Sequence, residues 1–210
     1  AQRLQSADSE PHNWVTAGRD FKQQHFSPRF HIRTDNVAQL GLAWEYPIDP
    51  RRGRVLHGME ATPQVVDGVM YTSGPWGTVF AVKADTGQAL WRYDPQVDGN
   101  WARRVCCDVV NRGVAVWKGR VFVGTLDGYL VALEATTGKE LWKQDTFIDR
   151  QRPYSITGAP IIAGDKVVIG NSGADKGVRG YLSAYEAGSG AFAWRFFTVP
   201  GDPAHGFEHP

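Results

Sequence analysis

The chain has 210 residues, of which 42% are hydrophobic and 21% charged, and its formal net charge is +1. A charge this close to zero gives no electrostatic basis for binding nucleic acid, and no window approaches the roughly 18 consecutive apolar residues of a membrane span. The 24 glycines, eight tryptophans and seven tyrosines instead favour short strands joined by tight turns.

Residues 1–36 are polar and irregular, and we predict that they form an N-terminal arm lying over a main body of residues 37–210. Asp35-Asn36 is a candidate cap for a short turn, and residues 42–46 alternate like a strand. The first residue is Ala1, with neither an initiator Met nor an apolar signal core after it. This start fits either a mature end left by signal-peptide removal or an expression boundary.

From residue 60 the sequence repeats, with units near 60–94, 111–145 and 157–198. Each unit ends in a Thr-Gly or Ser-Gly turn followed by a tryptophan, and these tryptophans, Trp91, Trp142 and Trp194, are 51 and 52 residues apart. Trp44 stands 47 residues before the first of them, as the end of an earlier unit would. A period near 50 residues is typical of a repeat architecture.

Each unit reads as four short strands. The first is predicted at Thr62–Val66, Val69–Thr72, Thr78–Val82 and Ala89–Tyr93, and the second at Gly113–Val116, Arg120–Gly124, Tyr129–Leu133 and Glu140–Lys143. Asp67-Gly68 and Lys118-Gly119 are hairpin-turn dipeptides. The pattern predicts an all-β propeller whose Trp and Thr-Gly turns pack one blade on the next. A β-solenoid is the alternative, although solenoid repeats are usually shorter.

The third unit carries a longer loop, residues 171–180, where the second unit has only residues 125–128. The loop is rich in glycine and small residues, which lets backbone amides approach a ligand closely. Its one carboxylate is Asp175, next to Lys176. The loop is either a harmless insertion with a solvated charge pair or a functional loop on a rigid scaffold.

The residues that enter the first strand of each unit differ in chemistry. Alignment on the tryptophans brings Glu60, Asn111-Arg112 and Thr157 into register. The units are thus predicted to present an acid, a guanidinium and a hydroxyl at one level near the propeller axis. Polar groups of different chemistry that converge on one axis suggest a small polar ligand.

Both cysteines, Cys106 and Cys107, are adjacent and lie among three arginines. Neighbouring Cα atoms are about 3.8 Å apart, whereas an ordinary disulfide prefers roughly 4.4–6.8 Å. A bond between them would be strained, and strain of this kind tends to persist only where it serves a function. The alternative is a pair of reduced, half-buried thiols. If the bond forms, it indicates an oxidising compartment such as a periplasm.

Taken together, these features resemble the pyrroloquinoline quinone (PQQ)-dependent alcohol dehydrogenases over essentially the whole chain. The adjacent cysteines are the most specific feature, because non-catalytic propellers share the Trp-ended repeat. The motifs that carry the resemblance are Asn13-Trp14, Gly18-Arg19-Asp20, Phe26-Ser27-Pro28, Gly58–Pro63, Arg104–Asp108, the Trp endings and Gly177–Gly180.

The resemblance implies an eight-bladed propeller, of which this chain supplies about three blades, with PQQ and a divalent ion, usually Ca²⁺, near its axis. Cys106 and Cys107 would form a vicinal disulfide that packs on one face of the cofactor. Asp175 falls where the family usually has a metal-binding Glu, so a harder or larger cation, or a water, would compensate for the missing methylene. The implied cofactor-binding residues are Glu60, Cys106, Cys107, Val110, Arg112, Thr157, Ser172, Gly173 and Ala174.

The implied activity is oxidation of a small alcohol to an aldehyde or ketone by hydride transfer to PQQ in the periplasm, after removal of a signal peptide. The general-base aspartate is expected beyond Pro210, so the isolated chain is expected to be inactive. Its expected partners are the remaining blades or partner chains, and an electron acceptor such as a cytochrome c or a haem domain. The alternative is a non-catalytic propeller scaffold, which needs neither adjacent cysteines nor a polar axis.

Overall fold

The computed structural model contains three four-stranded antiparallel sheets, which we call blades 1, 2 and 3 in chain order. It describes residues 2–29, 31–48, 59–105 and 107–206. Blade 1 contains β1 (Gln64–Val66), β2 (Val69–Ser73), β3 (Val79–Lys83) and β4 (Ala89–Tyr93). Blade 2 contains β5 (Ala115–Trp117), β6 (Arg120–Gly124), β7 (Tyr129–Glu134) and β8 (Glu140–Asp145). Blade 3 contains β9 (Ile161–Ala163), β10 (Lys166–Gly170), β11 (Tyr181–Glu186) and β12 (Phe192–Phe197).

Each blade is a meander, because its strands pair in sequence order. The turn between β1 and β2 consists of Asp67 and Gly68, with φ angles of 52° and 80°, which matches the right-handed twist of the paired strands. In every blade the register shifts once between the third and fourth strands, where an alanine lies opposite the repeat tryptophan. The three blades thus repeat the same irregularity as well as the same strands.

The N-terminal segment contains a short helix, α1 (Gln2–Gln5), and 3₁₀ turns at Ala7–Ser9 and Val37–Gln39. It attaches to blade 1, because Trp14 and Val65 exchange two backbone hydrogen bonds of 2.8 and 2.9 Å. The Arg3 guanidinium contacts Glu10 and Asp67 and holds the pKa of both carboxyls below their usual range. The ion pairs of Arg3 are therefore present at neutral pH and weaken as the pH falls through those lowered pKa values.

The predicted strand at residues 42–46 is wrong. Among the described residues, no strand pairs with this segment. A strand requires a ladder of hydrogen bonds to a neighbour, which alternating polarity alone does not provide. Trp44 nevertheless packs on blade 1 in the way that the repeat predicts, as shown below.

The two largest apolar clusters among the described residues lie between neighbouring blades. Alternate side chains of blade 2 face opposite ways, so that Val121, Val123 and Leu133 pack against blade 1. Phe122 and Leu130 pack against blade 3. Because both faces of blade 2 are buried, its inner strands are almost continuously apolar.

Tryptophans connect consecutive blades. The Trp91 indole donates a 2.8 Å hydrogen bond to the Ala135 carbonyl, and Trp142 donates one of 3.3 Å to Ala187. A Cβ on Gly138, whose φ is 72°, would lie 2.6 Å from the Trp91 ring, so this turn requires glycine. Trp44 stands in the same relation to Gly87. The predicted packing of Trp on the next Thr-Gly turn is confirmed.

The first strand of each blade is an edge strand of its sheet, and these three strands lie next to one another in the order β1, β5, β9. The loops that enter them are therefore neighbours. Gln64 of β1 fixes this arrangement, since its amide donates to the Val114 carbonyl and accepts from the Val116 amide. Within the described residues, no helix has both the length and the apolarity to cross a bilayer.

Candidate functional site

The entry loops of the three blades meet in a polar cluster centred on the Arg112 guanidinium. Its Nη2 lies 3.0 Å from Glu60 Oε2, before blade 1, and its Nη1 donates a 2.8 Å hydrogen bond to Thr157 Oγ1, before blade 3. The structure thus brings together the acid, the guanidinium and the hydroxyl that the repeat alignment placed in register. We call Glu60, Arg112, Thr157 and Ser172 the axial cluster.

Ser172 extends the axial cluster into the long loop of blade 3. Its Oγ lies 3.0 Å from Thr157 Oγ1, and its backbone pairs with Ser155 through hydrogen bonds of 2.7 and 3.3 Å. The Arg112 amide also donates to the Thr157 carbonyl at 2.9 Å. Four side chains from three blades are therefore connected by direct polar contacts.

The axial cluster is buried at its base and open at its charged end. Thr157 is 7% exposed, whereas the side chains of Arg112 and Glu60 are 45% and 34% exposed. The guanidinium has five N–H donors, and the two contacts with Glu60 and Thr157 leave others for a further partner. The open end therefore presents a positioned cation to a ligand that carries acceptor oxygens.

Asn111 holds the backbone that carries Arg112. This side chain is 2% exposed; its Oδ1 accepts from the Ser73 hydroxyl at 2.6 Å, and its Nδ2 donates to the Gly124 carbonyl at 2.8 Å. Its contacts join β2 to β6, next to the axial cluster. The sequence alignment placed Asn111 at this level but did not identify its role, because the partners of a buried amide cannot be inferred from spacing.

The connection between blades 1 and 2 carries the cysteines. It contains a 3₁₀ turn, Gly99–Arg103, which Asp98 caps with a 2.7 Å bond to the Asn100 amide. Cys107 is exposed and is not a free thiol. Cys106 lies outside the described residues, so its predicted bond to Cys107 stays a prediction.

The same connection is anchored by apolar side chains. Val105 and Val109 are buried in a small cluster with Trp76, Val97 and Leu126. The predicted ligand contact Val110 is also buried, at 3% exposure. The buried valines on either side of the cysteines thus hold this connection against the blades, while Cys107 is exposed.

The loop between β10 and β11 has ten residues, 171–180, against four between β6 and β7, as predicted. Gly173 has a φ of 113°, and a Cβ there would lie 2.5 Å from the Pro153 carbonyl oxygen, so the turn requires glycine. The single 3₁₀ turn Ala174–Lys176 follows. It exposes Ala174 and Asp175 on the surface.

Asp175 is the candidate cation ligand. Among the described residues, no three acidic, histidine or cysteine side chains lie close enough together to hold a metal ion. Calcium takes roughly six to eight oxygen ligands. The loop offers one carboxylate to a site of this kind, and the other ligands would have to come from elsewhere.

Family comparison identifies the class of protein. The family model of the PQQ glucose/ethanol/alcohol dehydrogenase β-propeller domain matches residues 14–209. The chain belongs to this family. The family resemblance and the all-β propeller predicted from the sequence are both confirmed.

Individual relatives cover nearly all of this chain. Quinohemoprotein alcohol dehydrogenase ADH-IIG of Pseudomonas putida is 55% identical over 201 residues, which is 96% of this chain and 27% of that protein. Its solved structure gives a TM-score of 0.91 over 97% of this chain and 29% of its own. The quinohemoprotein alcohol dehydrogenase of Comamonas testosteroni gives 0.87 at 45% identity, over 99% of this chain and 32% of its own.

A further solved structure, a europium-containing methanol dehydrogenase, is 33% identical and gives a TM-score of 0.83 over 97% of this chain and 35% of its own. This relative therefore holds a metal ion. The chain spans only about a quarter to a third of the length of these relatives.

Proposed function

We propose that the intact protein containing this chain is a PQQ- and divalent-cation-dependent dehydrogenase that oxidises a small alcohol to an aldehyde or ketone. The observation that carries the proposal is the axial cluster, in which Arg112 is held between Glu60 and Thr157 with its open side facing solvent. A non-catalytic scaffold would gain nothing from a positioned guanidinium at this place. The quinohemoprotein names of the relatives suggest a cytochrome c or haem domain as the electron acceptor.

The axial cluster fits a ligand with several carboxylate and carbonyl oxygens, as PQQ has. Arg112 would donate charge-assisted hydrogen bonds to such oxygens. Because Glu60 and Thr157 already fix the guanidinium, little side-chain freedom would be lost on binding. Thr157 and Ser172 would add hydroxyl donors, and the backbone of Gly173 and Ala174 would lie alongside. Bound PQQ would supply the hydride acceptor that no side chain provides.

Asp175 would bind the cation, which we propose to be Ca²⁺ or another divalent or larger ion. Its carboxylate is exposed on a turn that a glycine fixes against Pro153, so it can reach an ion without rearrangement of the blade. The general base and the remaining cation ligands would come from other blades. We place the protein in the periplasm, where a bond between Cys106 and Cys107 would persist.

The proposal predicts that replacing Arg112 with methionine weakens PQQ binding by the intact protein about 100-fold, because charged hydrogen bonds contribute roughly 1.5–3 kcal/mol each. The measurement is titration of cofactor-free protein with PQQ, followed by absorbance and fluorescence. Arg29→Met, at an exposed arginine of the arm, is the matched control. Wild-type protein that binds no PQQ, or equal affinity in the Arg112 variant, would contradict the proposal.

We also predict that Cys106 and Cys107 are bonded to each other in protein from its native source. In the peptide that contains both cysteines, alkylation without reductant is expected to leave the mass unchanged, and alkylation after reduction under denaturing conditions is expected to add two groups. Two alkylated thiols without reductant would show that the cysteines are free.

A further inference from the structure

Lys176 connects the long loop of blade 3 to the segment that carries the cysteines. Its Nζ lies 3.2 Å from the Val105 carbonyl oxygen and 3.4 Å from that of Arg103, 71 and 73 residues away in the sequence. An ammonium with three donors can serve both carbonyls at once. These contacts cross from blade 3 to the connection between blades 1 and 2.

The turn that carries Lys176 is well supported. Gly173 precedes it and packs on the Pro153 carbonyl, and Gly177, with a φ of 73°, follows it and accepts a 2.8 Å hydrogen bond from Arg152. Val178, next in the chain, is buried with Tyr154 and Tyr181. The lysine therefore extends from a fixed base.

The segment that receives Lys176 is held in another way. The Val105 side chain packs into the apolar cluster beneath it. Arg104 lies 4.6 Å from the Trp101 ring centre and donates to the Arg150 carbonyl at 3.2 Å. The carbonyl contacts of Lys176 restrain the main chain immediately before Cys106, while Cys107 is exposed.

We propose that Lys176 is a positioning residue that fixes the cysteine segment relative to the candidate cation ligand. Asp175 and Lys176 lie in the same 3₁₀ turn. A cation bound by Asp175 would hold this turn in place, and Lys176 on the same turn holds the main chain of residues 103–105. Cation binding and the order of the cysteine segment are thereby coupled. For the ligand roles of Asp175 and the cysteines, this inference rests on the proposed function.

Hydrogen exchange in the intact protein tests this coupling, with Lys176→Met as the variant that keeps the stem and removes the donors. Without cofactor, amide exchange in the peptide spanning residues 101–108 is expected to quicken about 10-fold, since a charged hydrogen bond is lost. Lys176→Arg restores donors and is expected to return the rate to within about threefold of wild type. In PQQ-loaded wild type, added Ca²⁺ is expected to slow exchange in this peptide, and in Lys176→Met to leave it unchanged.

Lys166→Met is the matched control, because Asp165-Lys166 is a second Asp-Lys pair on the same blade, at the turn into β10. Its exchange at residues 101–108 should equal that of wild type. Unchanged exchange in Lys176→Met, or equal acceleration in both lysine variants, would overturn the inference. Wild-type protein that does not bind PQQ would contradict the proposed function instead, since the cofactor-free exchange measurement does not depend on it.

Discussion

Replacing Asp175 with alanine is expected to abolish Ca²⁺-dependent reconstitution of the intact protein with PQQ. The carboxylate is exposed on a turn held between two left-handed glycines, and alanine there removes a charged ligand without removing packing. Loss of one charged ligand should weaken Ca²⁺ binding about 100-fold or more. Activity measured against Ca²⁺ concentration, with PQQ in excess, gives the effect directly.

Asp175→Glu tests the same site with a variant that keeps the carboxylate. The added methylene restores the length usual in the family, so reconstitution should persist, with the order of preference among Ca²⁺, Sr²⁺ and larger ions changed. Asp165→Ala is the matched control, since Asp165 is also an exposed aspartate followed by lysine on blade 3. Metal dependence that is the same in Asp175→Ala as in wild type would remove Asp175 from the site.

The chain 1–210 expressed by itself is expected to show no alcohol oxidation with PQQ and Ca²⁺ added, and to self-associate. Trp194 and Phe196 lie two residues apart on one face of β12 and are 42% and 47% exposed. Leu182 lies opposite Phe196 on the same face. Trp91 and Trp142 bury the corresponding face of their blades against the next glycine turn, so this face matches a blade-to-blade interface. Exposed apolar faces of this kind favour association.

The measurement is turnover of primary alcohols by purified chain 1–210, with size-exclusion chromatography and light scattering for its mass. The intact protein, assayed in parallel, is the positive control. A double variant, Trp194→Gln with Phe196→Gln, should shift the isolated chain toward monomer. Turnover by a monomeric 1–210 would contradict the expectation, and so would monodisperse behaviour of the unchanged chain at high concentration.

Much of the architecture could be predicted because the types of residues in its own turns and strands define each repeat. Hairpin turns such as Asp67-Gly68 need left-handed backbone angles, and the alternating apolar residues of blade 2 require two buried faces. The spacing of Trp91 and Trp142 identified the blades before any contact was known. Alignment of the repeats was also sufficient to bring Glu60, Arg112 and Thr157 to one level, because equivalent positions of equivalent units occupy equivalent places.

The sequence by itself determined the class of fold, the number of repeats and the level at which unlike polar residues meet. Tertiary structure alone decided which atoms contact one another there. The buried amide of Asn111, the Ser172 hydroxyl against Thr157 and the reach of Lys176 to the carbonyls of residues 103 and 105 all depend on distances between segments far apart in the chain. Main-chain carbonyls in particular carry no residue identity, so no pattern of side chains can reveal that a lysine will bind them.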